Sequence, residues 1–107
     1  MVTDEQAEKA VDFLRDNATA MGVAKATELY LDEFRKTLKS KLMRSCGEER
    51  VADQESFAYS HPEYMTHLEG YRVAVEQAEA LRWKMTAAKA KLELYRSQEA
   101  SRRAALA

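Results

Sequence analysis

Arg82, Lys89, Arg96 and Arg103 stand seven positions apart, with Lys84 and Lys91 on a neighbouring line. A seven-residue step drifts only about 20° around a helix, so the four share one stripe. Residues 81 to 107 carry seven Lys and Arg against two acids, Glu93 and Glu99, whereas residues 1 to 80 carry ten against sixteen. A stripe of cations beside Trp83 and Tyr95 suits an anionic backbone, with rings available to stack on bases. The competing reading is a solvated flank that pairs with the acids of the N-terminal segment. A second run, Arg35, Lys36, Lys39, Lys41 and Arg44, puts five cations in ten residues with no acid between Glu33 and Glu48. It reads either as further phosphate contact or as the basic end of a helix. The residues expected to meet an anion are therefore Arg82, Lys89, Arg96, Arg102 and Arg103, then Lys36, Lys39 and Lys41.

Other chemistry finds little support. His61 and His67 are six apart and do not share a helix face. Glu63 and His67 are four apart and are expected to form a surface ion pair, which is not a metal site. Cys46 has no histidine nearby to activate it as a nucleophile. There is no Gly-rich phosphate loop, no HExxH and no CxxC. The reading is no enzyme, no catalytic residue, no metal and no cofactor.

The elements that carry these residues follow from apolar spacing. From Pro62, Tyr64, Leu68, Tyr71, Val75, Ala78, Leu81, Met85, Ala88, Leu92 and Tyr95 recur in steps of three and four. That is one helical face and cannot be a strand. Pro62 suits a first helical turn, with Ser60 expected as the cap. At 1.5 Å per residue a helix over 62–104 is roughly 60 Å long. Upstream, Thr3 and Gln6 form a capping box. Ala7, Ala10, Val11, Leu14, Ala18, Met21, Ala24, Thr27, Leu31, Phe34, Leu38 and Leu42 continue one face to about residue 45, with Gly22 as a possible break into two helices. Gly47 suits the left-handed residue after a helix. Residues 46–61 are the connection, with a short helix at about 51–59 that would cover the hinge end with Phe57 and Tyr59.

Two segments of about 42 residues joined by a short connection predict an antiparallel hairpin. Residues near 40 should then face residues near 68, and residues near 10 should face residues near 97. Asp4, Glu5, Glu8, Asp12 and Asp16 would lie beside Arg96, Arg102 and Arg103. The fold class is all-α: one domain, 1–107, a long helical hairpin with a short connecting helix. A two-helix hairpin covers each helix on one side only, and a core this small is marginal. Phe13, Tyr30, Val73, Trp83 and Leu94 fall off the main seam, so association of like chains is expected. Trp83, Tyr71, Met85 and Leu94 are the interface candidates, Trp83 first.

The net charge of −1 over 107 residues gives no global pull towards nucleic acid or anionic membrane. A single cysteine points to a reducing compartment. No run is long enough to span a membrane, and the acidic N-terminus lacks the form of a secretory signal. The expected location is cytoplasmic, with no membrane partner.

The segments ELYLDEFRKTLKSKLM and AYSHPEYMTHLEGYRVAVEQAEALRWKMTAAKAKLELYRSQEASRR together resemble small helical bacteriophage proteins. Among these the chain is similar to the phage UvsY family of recombination, repair and single-strand DNA-binding proteins. What is shared is a helix ending in a Lys-rich stretch, a polar connection, and a long helix ending in an aromatic-basic segment at Leu94, Tyr95 and Arg96 to Arg103. The resemblance implies a recombination mediator that binds single-stranded DNA as a ring-like homo-oligomer. It further implies that the protein helps to load a recombinase onto DNA covered by a single-strand-binding protein. The alternative is a non-enzymatic helical module, such as a phage factor that binds a host or phage protein.

Overall fold

The computed structural model describes residues 1–107. Three helices account for nearly all of them: α1 over Asp4–Ser45, α2 over Val51–Ser60 and α3 over Pro62–Leu106. There is no strand, and α1 packs against α3 as a helical hairpin. The helix bounds agree with the expected ones to within two residues. Thr3 opens α1 as expected: its Oγ1 accepts the Gln6 N–H at 3.1 Å, while the Gln6 Oε1 accepts the Thr3 N–H at 3.0 Å. Gly22 does not break α1. It sits on an exposed face with nothing within 4 Å of where a side chain would start.

Each long helix carries a strict heptad seam. In α1 the covered residues are Ala7, Ala10, Leu14, Asn17, Met21, Ala24, Glu28, Leu31, Arg35, Leu38 and Leu42. In α3 they are Tyr64, His67, Tyr71, Ala74, Ala78, Leu81, Met85, Ala88, Leu92, Tyr95 and Glu99. Both sets alternate steps of three and four, the repeat of a coiled-coil seam. The expected face of α1 was too broad. Val11, Ala18, Thr27 and Phe34 are exposed, and polar Asn17, Glu28 and Arg35 take seam positions instead. The seam of a helix pair is a narrower stripe than the apolar face of a helix lying on a globular core. Asn17 Nδ2 donates to the Phe13 carbonyl at 2.9 Å and Arg35 Nη2 donates to Asp32 at 3.2 Å, while the buried Arg35 Nε has no hydrogen-bond partner.

Two units divide the chain: Met1–Gly22 with Glu79–Ala107, and Val23–Ala78. In the first, the Val2 N–H donates to Gln98 Oε1, and Gln98 Nε2 donates back to the Val2 carbonyl, both at 3.0 Å. The Tyr95 hydroxyl donates to Asp4 at 2.6 Å. The fully buried side chains are small, Val2, Ala7, Ala10 and Ala88, with Leu14, Met21, Leu81, Met85, Leu92 and Tyr95 half-buried along the seam. Alanine lets two helices approach closely but contributes little apolar area.

In the second unit α2 caps the pair. Leu38, Leu42, Ala58 and Tyr64 form its buried cluster, with Met43 against it and Ala58 wholly covered. Tyr59 meets Tyr64 edge-on at 5.2 Å, and Lys39 lies 4.8 Å over the Tyr59 ring while pairing with Glu55 at 3.7 Å. The Tyr59 hydroxyl, and then Glu55, hold the Lys39 ammonium above its ordinary pKa. Phe57 and Tyr59, expected to cover the hinge end, remain partly exposed, and Ala58 between them does the covering.

The register differs from the expected one. Ala10 shares a groove with Ala88 rather than facing residue 97, and Leu31 meets His67. Pairing the segments from their ends ignored α2, which occupies the last turns of α1 and displaces α3 along it. Three further details differ. The α3 cap is His61, whose Nδ1 accepts the Glu63 N–H at 3.0 Å; Ser60 turns back to the Ser56 carbonyl at 2.7 Å. No glycine has a positive φ, so Gly47 makes no left-handed turn. Ser45 Oγ and Cys46 Sγ instead donate to the Leu42 and Met43 carbonyls and satisfy the end of α1.

Candidate nucleic-acid interface

The basic stripe of α3 lies on one flank of its seam, within the first unit. Lys89, Arg96 and Arg103 are exposed and have no acid partner. Arg82 pairs with Glu79 at 2.6 Å, and Arg102 pairs with Glu99 at 2.6 Å, each within α3. The acids of α1 do not reach this stripe. Glu5 takes Lys9 at 3.1 Å, Asp12 and Asp16 take Arg15 at 3.1 Å each, and Asp4 accepts from Tyr95. The expected closure of α1 acids onto Arg96, Arg102 and Arg103 is therefore absent. Neighbours three or four apart on one helix meet at little entropic cost, and the shifted register puts Arg102 and Arg103 beyond those acids.

Arg96 and Arg103 line one shallow groove of about 490 Å³ with Val11, Leu92, Tyr95 and Glu99. Two cations rim an apolar floor there, and Val11 adds to it from α1. Exposed Val11 thus has a place in this groove that apolar spacing alone assigned to the core. Tyr95 is not free to stack as expected. Its ring is half-buried and its hydroxyl is held by Asp4, which raises its pKa above the ordinary tyrosine value, with desolvation adding to the rise. Trp83 is 59% exposed and points away from the seam, and the Arg82 guanidinium covers one face of the indole at 4.7 Å from its centre. The other face remains available for stacking.

The second basic run, in the other unit, is mostly spent on local pairs. Arg35 goes to Asp32 at 3.2 Å, Lys36 to Glu33 at 3.4 Å and Lys39 to Glu55 at 3.7 Å. The Tyr64 hydroxyl, and then Asp32, raise the Arg35 pKa. Lys41 and Arg44 keep no acid partner and line a concave strip of α1 with Lys36, Ser40 and Ser45.

Of the interface candidates, Trp83 and Leu94 are exposed on the outward side of α3, with Val73 on the same side. Tyr71 and Met85 are half-buried in the seam towards α1, so their apolar surface already serves the hairpin. His67 is not paired with Glu63. Its Nε2 lies 2.7 Å from the Leu31 carbonyl, which can only accept, so the ring donates; Phe34 packs 5.5 Å away. No group of three or more His, Cys, Asp or Glu side chains converges as a metal site would. No helix is long and apolar enough to cross a membrane. Sequence reasoning missed His61 and His67 because a cap and a seam donor depend on where neighbouring backbone lies, which residue spacing does not report. Set against protein-family models, curated proteins and solved structures, the chain has no match, so its function has to be read from these side chains.

Proposed function

We propose that this chain is a non-catalytic binding protein that engages single-stranded DNA along the Lys89, Arg96 and Arg103 flank of α3. The observation that carries the reading is the groove in which Arg96 and Arg103, neither held in an ion pair, flank Val11, Leu92 and Tyr95. Glu99, which is paired to Arg102, is also in its lining. Phosphates would follow the cations, and a base would stack on the open face of Trp83. Three phosphate contacts per chain are few, so useful affinity needs several copies on one strand. The exposed Val73 and Leu94 support such association of like chains. With the resemblance to the phage family, this gives a recombination mediator that holds single-stranded DNA as a homo-oligomer and presents it to a recombinase.

The test is binding of a fluorescent oligothymidylate across a salt series. For about three phosphate contacts per chain, log K should fall with log salt at a slope of about −2. The triple variant Lys89→Glu, Arg96→Glu, Arg103→Glu should lose binding while its helical circular dichroism is unchanged. Absence of binding at low salt, or affinity indifferent to salt, overturns the reading.

A further inference from the structure

The opposite flank of the same seam carries a second groove, of about 350 Å³, on which the DNA reading makes no claim. Its floor is Ala87 and Ala88 of α3, its wall is Phe13 of α1, and its rim is Lys9, Lys84 and Lys91. No acid lines it. Lys9 pairs with Glu5 at 3.1 Å, whereas Lys84 and Lys91 have no acid partner. A single-strand phosphate backbone is the rival occupant. Half of the lining is apolar, however, Ala10, Phe13, Ala87 and Ala88, and only two of its cations, Lys84 and Lys91, lack an acid, which suits an apolar partner that carries acids. Lys84 and Lys91 are seven residues apart, about 10.5 Å along α3. A helix laid along α3 would present acidic side chains at the same interval, one per two turns. The floor next to the lysines is built of alanine, small enough to admit the side chains of a third helix laid against the pair.

We propose that this groove is the docking site of an acidic amphipathic helix of a partner protein, its apolar row on Ala87, Ala88 and Phe13 and its carboxylates on Lys84 and Lys91. Lysine stems can lie along apolar surface while the ammonium groups stay in water, so the rim extends the apolar track as well as adding charge. The two flanks of α3 then divide the work: one meets nucleic acid, the other meets protein. This inference does not depend on the DNA reading, because no residue of the Lys89, Arg96 and Arg103 flank lines the groove.

The experiment uses the full chain and a synthetic three-heptad peptide with Leu at a and d and Glu at e and g. A second peptide with Lys at e and g is the control. Fluorescence anisotropy should give at least about tenfold tighter binding for the acidic peptide, the factor that 1.4 kcal/mol supplies. Lys84→Glu with Lys91→Glu should weaken it by about tenfold or more. Ala87→Arg, which fills the floor and leaves the lysines in place, should weaken it as well. Lys89→Glu with Arg96→Glu should leave peptide binding unchanged while oligothymidylate binding falls. Equal binding of both peptides, or indifference to the Lys84 and Lys91 reversals, overturns the proposal. So does displacement of the acidic peptide by oligothymidylate, which would give the groove to nucleic acid. If Ala87→Arg instead turns an oligomer into a monomer and the wild-type chain ignores the peptide, the occupant is a second copy and the proposal fails.

Discussion

The two units draw on the same pair of helices and fill the seam differently. In Val23–Ala78 the buried cluster contains Leu38, Leu42 and Tyr64, with α2 adding Ala58 from a third direction. In Met1–Gly22 with Glu79–Ala107 the fully buried residues are Val2 and three alanines, the larger seam residues such as Leu14, Leu81 and Leu92 are half-buried, and polar ties from Gln98 and Tyr95 hold the start of α1. Charge is distributed the opposite way. The aromatic-lined unit neutralises Arg35, Lys36 and Lys39 and leaves Lys41 and Arg44 without acids, whereas the other unit pairs Lys9, Arg15, Arg82 and Arg102 and leaves Lys84, Lys89, Lys91, Arg96 and Arg103 without acids. Large apolar side chains fix a scaffold and need no ligand. Small ones leave grooves, and cations without partners beside grooves can take one. The comparison therefore assigns more of the stability to the second unit and leaves more unpaired cations in the first, where binding is proposed.

The strongest test of that division is Leu42→Ala. Leu42 is 4% exposed within the cluster, and its truncation should cost about 2–5 kcal/mol in urea denaturation. A loss no larger than that of an exposed residue would remove the claim that the second unit is the scaffold. Next is Ala7→Leu, at a covered seam position of the first unit. Overpacking a close helix contact should cost about 1–3 kcal/mol. A gain in stability would mean that the alanine seam has spare room and that its thinness is not a packing constraint. Thr3→Ala removes one half of the capping box and should cost about 1 kcal/mol. By hydrogen exchange, its effect should appear in the first turns of α1 and not at Leu38 to Leu42.

The smallest effect is electrostatic. The bond from the Tyr95 hydroxyl to Asp4 raises the pKa of Tyr95 in the folded chain. A raised folded value means that the contribution is fully present below the ordinary tyrosine value, near 10, and is lost as pH rises through the folded value. The stability gap between the protein and its Tyr95→Phe variant should thus be constant from neutral pH to about 9 and close above it. A gap that closes on the acid side of that range would assign the effect to another group.

Much of this architecture can be read from residue order. Pro62, the Thr3 and Gln6 box and the three-four spacing of apolar residues mark the helix bounds, because each acts within one turn of its own helix. The register is less accessible. It depends on α2 folding onto Leu38 and Leu42, a contact that periodicity in α1 and α3 cannot report. Ion pairing is misread for a related reason. The acids of α1 and the arginines of α3 look complementary as blocks, yet Glu5, Asp12, Asp16, Glu79 and Glu99 each have a cation three or four residues away or next to them. The basic stripe itself is visible as a seven-residue repeat. Which of its members stay unpaired, and that Val11 joins Arg96 and Arg103 around one groove, needs both helices in place.

His67 has a consequence for how the helices find their alignment. Small residues already favour one alignment: Ala10 shares a groove with Ala88, and a slip by one heptad would bring Ala10 to Leu81 or Tyr95 instead. Sliding by seven positions would carry the imidazole away from the Leu31 oxygen and strand a half-covered N–H against hydrocarbon, a desolvation loss of about 1–3 kcal/mol. One ring thus works like the notch on a vernier, adding a polar check to the match of large and small side chains along the seam.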